Sequence, residues 1–206
     1  MIVIFNGPPG SGKDEATSYF CDRGFRHLSF KHVLYEETCK YFKVTKAWFM
    51  DGYHDRAVKE KSVDALKGMS RRSAMIHVSE NVIKPKYGPA YFGEQVANQI
   101  DADKNYAISD GGFVEELRPI INKVGEQNII LVQIAREGCC YSTDSRRYFN
   151  GDLRYEYISG SNAGFDDQYV LPERFNIVTF RIYNNGSLEA FHQNLSDVYG
   201  VIKQHG

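Results

Sequence analysis

The densest chemistry in the chain lies in Gly7-Pro8-Pro9-Gly10-Ser11-Gly12-Lys13-Asp14. Glycines at this spacing let backbone N–H groups turn inward around an anion, and the lysine closing the run adds a mobile cation. Gly7, Gly12 and Lys13 satisfy the phosphate-binding loop pattern up to its lysine, while Asp14 stands where a serine or threonine is usual. Gly10 and Ser11 complete the loop, and a helix opening near Gly12 turns its positive dipole end toward the same anion. The chemistry implied is the gripping of a polyphosphate tail.

Further charged residues stand where a metal or a second anion could be met. Asp110 ends the run Tyr106-Ala107-Ile108-Ser109 and precedes Gly111-Gly112. An acid leaving a strand beside a phosphate loop commonly holds Mg²⁺ or a water on it. Lys31 follows the short strand His27-Leu28-Ser29-Phe30, at the sheet edge where open α/β folds bind ligands. Arg71 and Arg72 follow Ser70, a helix cap. Two cations at a helix start oppose its dipole, so a bound anion accounts for them, and the guanidinium fork suits a phosphate. Glu115, Glu116 and Arg118 open a helix near the same edge. Tyr87, Tyr91 and Phe92 cluster at Gly88-Pro89, placed to stack on a base or to fill a core. His54 and Asp55 belong to a turn-like stretch and suit a surface turn better than acid–base work.

The elements that must position these groups follow from periodicity. Ile2–Asn6, His27–Phe30, Tyr106–Asp110, Asn128–Ile134 and Ile177–Ile182 form five expected strands. Helical patterns run over Lys13–Asp22, Lys31–Phe42, from Ser70 through Val82, over Ala90–Ile100, from Phe113, and from the cap Ser187 to Val201. Residues 44–66 show no clear pattern. The segment 137–173 is rich in glycine, serine, tyrosine and charge and resembles a lid, which would bring Arg146, Arg147 and Arg154, with Arg136 before them, over a transferring phosphoryl group. The alternation implies a three-layer α/β fold with a largely parallel sheet.

The 206 residues, 42% hydrophobic, suffice for one full core and predict a single domain. A formal net charge of −1 and a pI near 6.6 offer no global basic surface for a nucleic-acid polymer, so a small substrate is expected. A first strand beginning at Ile2 leaves no room for a signal peptide, and no apolar run approaches the roughly 20 residues of a membrane helix. A soluble, cytoplasmic protein with no membrane partner is the expectation. Cys21, Cys39, Cys139 and Cys140 form neither a metal quartet nor a disulfide framework and read as reduced, mostly packed thiols.

Gly12-Lys13-Asp14, Ser29-Phe30-Lys31, Ser70-Arg71-Arg72, Asp110 at a strand end and Ile182-Tyr183-Asn184-Asn185-Gly186-Ser187-Leu188, taken together and in this order, resemble the deoxynucleoside monophosphate kinases of large tailed bacteriophages. The likeness implies a P-loop kinase fold with a monophosphate-binding insert over about 31–100 and a lid over about 137–173. It implies transfer of the γ-phosphoryl group of ATP to a deoxynucleoside monophosphate with Mg²⁺, in the host cytoplasm if the chain is phage-encoded. The donor side is then Gly7, Gly10, Ser11, Gly12, Lys13, Asp14 and Asn185, and the metal is met by Asp14 and Asp110. The acceptor side is Lys31, Arg71, Arg72, Glu80, Tyr91, Glu115 and Arg118. The transferring group is met by Lys13, Arg118, Arg136, Arg146 and Arg147. A homodimer is compatible with this reading. A kinase of another small phosphorylated acceptor and a non-catalytic ATP-binding module remain open alternatives.

Overall fold

The computed structural model describes residues 1–54, 58 and 60–205. Asp55 lies outside the described residues, as does the side chain of His54. The five residues Ile2–Asn6 form β1 and are all buried. Parallel pairing sets β1 between β3 (Tyr106–Gly111) and β4 (Ile129–Ala135), in the sheet order β2-β3-β1-β4-β6-β5. Here β2 is Arg26–Leu28, β5 is Tyr148–Ser159 and β6 is Val170–Asn184. All pairings are parallel. The chain leaves β1 toward neighbours on both sides, and that reversal opens a crevice at the carboxyl end of β1.

Strand alternation divides the core between the two sheet faces. Ile2 and Ile4 pack with Phe30, Phe92, Leu117 and Phe149, whereas Val3 and Phe5 pack with Phe20, Phe180, Phe191 and Leu195. The first face is covered by α2 (Phe30–Phe42), α6 (Tyr91–Ala97) and α7 (Val114–Val124), the second by α1 (Lys13–Cys21) and α8 (Leu188–His205). A third, smaller cluster of Cys39, Phe49, Leu66, Ala74 and Met75 joins α2 to α3 (Lys46–His54) and α4 (Arg71–His77). The region 31–100 thus carries a small core of its own.

The helix caps explain several boundaries. Ser70 Oγ accepts from Ser73 N at the start of α4, and Ser187 Oγ accepts from Ala190 N at the start of α8, as their residue types suggest. Thr45 Oγ1 accepts from Trp48 N at 3.3 Å, and this starts α3 inside the stretch that showed no sequence pattern. After α4 the backbone widens into a π-helical stretch, Val78–Ile83, before the short α5 (Lys84–Tyr87).

The sheet has six strands rather than the expected five. The additional one, β5, falls inside the 137–173 segment, so that segment is not a single flap over the sheet. Its charges and Gly151-Asp152 disguise a strand whose outer edge has no partner strand among the described residues, which is where charged residues are tolerated. On one face, Tyr155 and Tyr157 stack on Phe180 at 4.6 and 6.3 Å. No described helix is long and apolar enough to cross a membrane.

Asn6 ends β1 with its side chain fully buried. Its Nδ2 donates to Gly111 O at 3.1 Å, Tyr141 OH at 3.2 Å and Arg147 O at 2.9 Å, and its Oδ1 accepts from Phe149 N at 2.7 Å. One amide thereby ties the end of β3 and the 141–149 segment to the strand that feeds the glycine-rich loop. Asn6→Ala leaves these groups without partners, and we expect a loss of about 3–5 kcal/mol in urea unfolding. A loss below about 1 kcal/mol would show that water replaces the amide.

Candidate functional site

The glycine-rich loop connects β1 to α1 at the crevice. Gly12 adopts φ +112°, and a Cβ there would also come within 2.6 Å of Asn184 Nδ2. A Cβ on Gly7 would collide with the Ile134 carbonyl oxygen and lie 2.7 Å from Ser11 Oγ. Both positions therefore demand glycine. Asn184 Nδ2 donates to Ser11 O at 2.9 Å, anchoring the loop from the end of β6.

Inside the loop, Ser11 Oγ is buried and has no hydrogen-bond partner among the described residues. Lys13 is 8% exposed, and its Nζ donates to Pro8 O at 2.6 Å, folded back onto the loop. Burial, reinforced by the positive charges of Arg146 and Lys31, lowers its pKa from 10.5 to about 8. An orphaned hydroxyl and a crowded, desolvated ammonium are what an anion entering the loop would satisfy.

Beside the loop lies a cavity of about 480 Å³. Pro9, Lys31, Asp144 and Arg146 line it near the loop; Phe30, Leu34, Met75, Phe92 and Phe113 supply apolar wall. Arg72, Ser79, Glu80, Lys84, Asp110 and Glu116 bring further polar groups. The Lys31 ammonium has no ion-pair partner among the described residues. Arg146 is held by Asp144, which accepts from its N, Nε and Nη2 at 2.9, 3.0 and 2.5 Å. Burial works against the Asp144 carboxylate, but the hydrogen bonds and charge of Arg146 outweigh it and lower its pKa to about 2. The same pair holds the Arg146 pKa above its ordinary value against burial.

Asp110 is 4% exposed and already engaged. Its Oδ1 accepts from Phe30 N at 3.1 Å, and its Oδ2 from Ser29 Oγ at 2.9 Å and Lys31 N at 2.8 Å. It caps α2 and so aims Lys31 at the cavity. A metal would meet this carboxylate most readily through water, whereas Asp14 is exposed at the start of α1. No group of three or more His, Cys, Asp or Glu side chains suited to a metal occurs among the described residues.

Several residues expected at the site are placed elsewhere. Arg71 is 6% exposed, its guanidinium 4.6 Å from the Trp48 ring and its Nε donating to Phe49 O at 3.1 Å. It fastens α4 to α3 and is absent from the cavity wall, while Arg72 lines the cavity and pairs loosely with Glu60 at 3.6 Å. Arg118 forms a two-pronged pair with Glu173 at 2.9 and 3.0 Å and, with Glu115, borders a separate surface depression. Tyr91 stacks on Tyr87 at 5.0 Å, outside the cavity lining. Arg147 turns away to the carbonyls of Asp144 and Arg146 and to the Tyr169 ring. Arg136 stays at the lip of the loop, 3.3 Å from Gly10 O. Asn185 is spent on Ser161 O, Ala163 O and Glu137 N, so Asn184 is the residue that touches the loop.

The cavity also gathers groups that sequence reasoning left unassigned: Asp144, Lys84, Ser79 and Phe113. Of the two neighbouring glutamates on α7, Glu116 faces the cavity. Ser79, Glu80 and Lys84 belong to the π-helical stretch and the turn after it, and single π-helical turns recur at functional sites. The Glu80–Lys84 spacing of four was the one visible signal.

No protein-family model matches the chain, and the curated proteins contain no significant match to it.

Two outcomes follow from this geometry. The folded protein disfavours the charged Lys13, a penalty present in full below pH 8 and relieved as pH rises from about 8 to 10.5. An anion in the loop restores the charge, so triphosphate binding at pH 8 should take up about half a proton, read by calorimetry in buffers of different ionisation heat. Proton release would refute the assignment. Arg71→Ala should lower unfolding stability by about 2–4 kcal/mol. Unchanged urea stability would mean that the Trp48 contact contributes nothing.

Proposed function

We propose that the chain is an ATP-dependent phosphotransferase that passes the γ-phosphoryl group to the phosphate of a deoxynucleoside monophosphate. The observation that carries this reading is a glycine-rich loop, with Lys13 and the orphaned Ser11 hydroxyl inside it, opening onto a cavity that holds Lys31, Arg72 and Arg146. Two polyanions side by side require this supply of cations. A non-catalytic nucleotide-binding module would have no use for the second set.

In the proposed reaction an oxygen of the acceptor phosphate attacks the γ-phosphorus. The bond from that phosphorus to the β–γ bridging oxygen breaks, leaving ADP and a nucleoside diphosphate. The attacking oxygen is already anionic at neutral pH, so no general base is needed. Lys13 leaves Pro8 O and follows the β- and γ-phosphates, and the loop amides with Ser11 hold the donor. Lys31 and Arg72 draw the acceptor phosphate, and Arg146, kept rigid by Asp144, offsets charge on the transferring group. Mg²⁺, arriving with the ATP phosphates, would be met by Asp14 and through water by Asp110, and supplies further charge neutralisation.

Lys13→Ala should cut turnover by roughly 10²–10³-fold in a coupled ADP-release assay with each deoxynucleoside monophosphate. Arg72→Ala should raise the acceptor KM about tenfold and leave the ATP KM alone. Wild-type turnover in the lysine variant, or a shifted ATP KM in the arginine variant, would sink the respective assignment.

A further inference from the structure

Glu116 sits in the first turn of α7 with 9% exposure, bordering the cavity in company with Phe92 and Phe113. Its carboxyl makes no hydrogen bond or ion pair among the described residues. Buried carboxyls without partners are destabilising, and neither nearby cation pairs with this one. Lys84 is drawn to Glu80 at 2.6 Å and lies over the Phe113 ring, and Arg146 is held by Asp144. Burial, aided by the negative charge of Asp110 and Glu115 and opposed by Lys84 and Arg146, pushes the Glu116 pKa well above the carboxylate range. Protonation is thereby favoured, and the protonated carboxyl offers one donor and one acceptor side by side.

That pair of functions fits a ligand edge with an acceptor beside a donor, as on a purine or pyrimidine. The rings of Phe30, Phe92 and Phe113 give the same cavity flat apolar surface for a base, and Lys31 and Arg146 mark where a phosphate belongs. We propose that Glu116 is the base-reading residue of the acceptor site, its carboxyl engaging the hydrogen-bonding edge of the nucleobase while the phosphate lies toward Lys31 and Arg146. The proposal rests on the nucleotide-kinase reading above. A site built to pair with polar edges loses far more on a missing partner than an apolar pocket does, so base preference should depend on this one side chain. The competing role is packing, because the Glu116 backbone lies against Gly93 of α6, where a Cβ would come within 2.7 Å of its Cα.

The test compares full-length wild type, Glu116→Leu and Glu116→Gln with the four common deoxynucleoside monophosphates and with 2-deoxyribose 5-phosphate, which has no base. Turnover and equilibrium binding are both read. Glu116→Leu should raise the KM of the preferred nucleotide about tenfold or more and flatten the preference among bases. Its ATP KM should hold and its thermal midpoint should not fall, since an unpaired buried acid has been removed. Glu116→Gln keeps one donor and one acceptor and should recover the preference. A packing residue would instead lower the thermal midpoint and leave base selectivity intact, which would overturn the proposal; so would a glutamine variant as impaired as the leucine one. Wild-type protein that binds these nucleotides selectively without phosphorylating them would end the kinase reading, and the binding ratios would still decide the role of Glu116. Turnover with no selectivity among the bases would end the role of Glu116 alone, and no binding at all would end both.

Discussion

The burial of the Lys13 ammonium beside further cations is the constraint on which the site depends. A charged lysine buried and folded back on its own loop, flanked by Arg146 and Lys31, is unfavourable, and its lowered pKa reports that. The structure tolerates the arrangement because each cation is held by something other than a neighbouring anion in the loop. Lys13 leans on the Pro8 carbonyl, Arg146 on Asp144, and Lys31 is placed by a helix start that Asp110 caps. On the proposed reading this preorganises the loop for an anion, with no carboxylate among the described residues bonded to Lys13.

Preorganisation of this kind needs rigid supports, and the sheet supplies them. Because β1 lies between β3 and β4, the loop, Asp110 and the 141–149 segment emerge at one edge. Asn6 and Asn184 hold them together, one through four hydrogen bonds and the other through the carbonyl of Ser11. Both are amides at strand ends, where the backbone ladder stops and carbonyls and N–H groups would otherwise lack partners.

The proposed acceptor side is built differently. Its walls come from the helical region with the small core of Phe49, Leu66 and Met75, clamped by Arg71 against Trp48. A region with its own core can shift against the sheet more easily than a strand can, which would suit the proposed binding of an acceptor there. The π-helical turn at Val78–Ile83 directs Ser79 and Glu80 toward the cavity, and Lys84 follows it.

The sequence by itself determined the elements whose signals are local. The apolar run of β1, the loop spacing through Lys13, the caps Ser70 and Ser187, and the buried strand from Ile129 could all be read from neighbouring residues. The α/β class followed from their alternation. Tertiary structure alone decided which charges meet. Arg71 and Arg72 are adjacent, yet one packs under Trp48 and the other faces the cavity; Glu115 and Glu116 part in the same way. Neighbours on a helix point about 100° apart, and which direction is inward depends on what packs there. The edge strand β5 and the partners of Asn6 rest on contacts more than a hundred residues apart or on an exposed sheet edge, where local hydrophobic pattern carries no information.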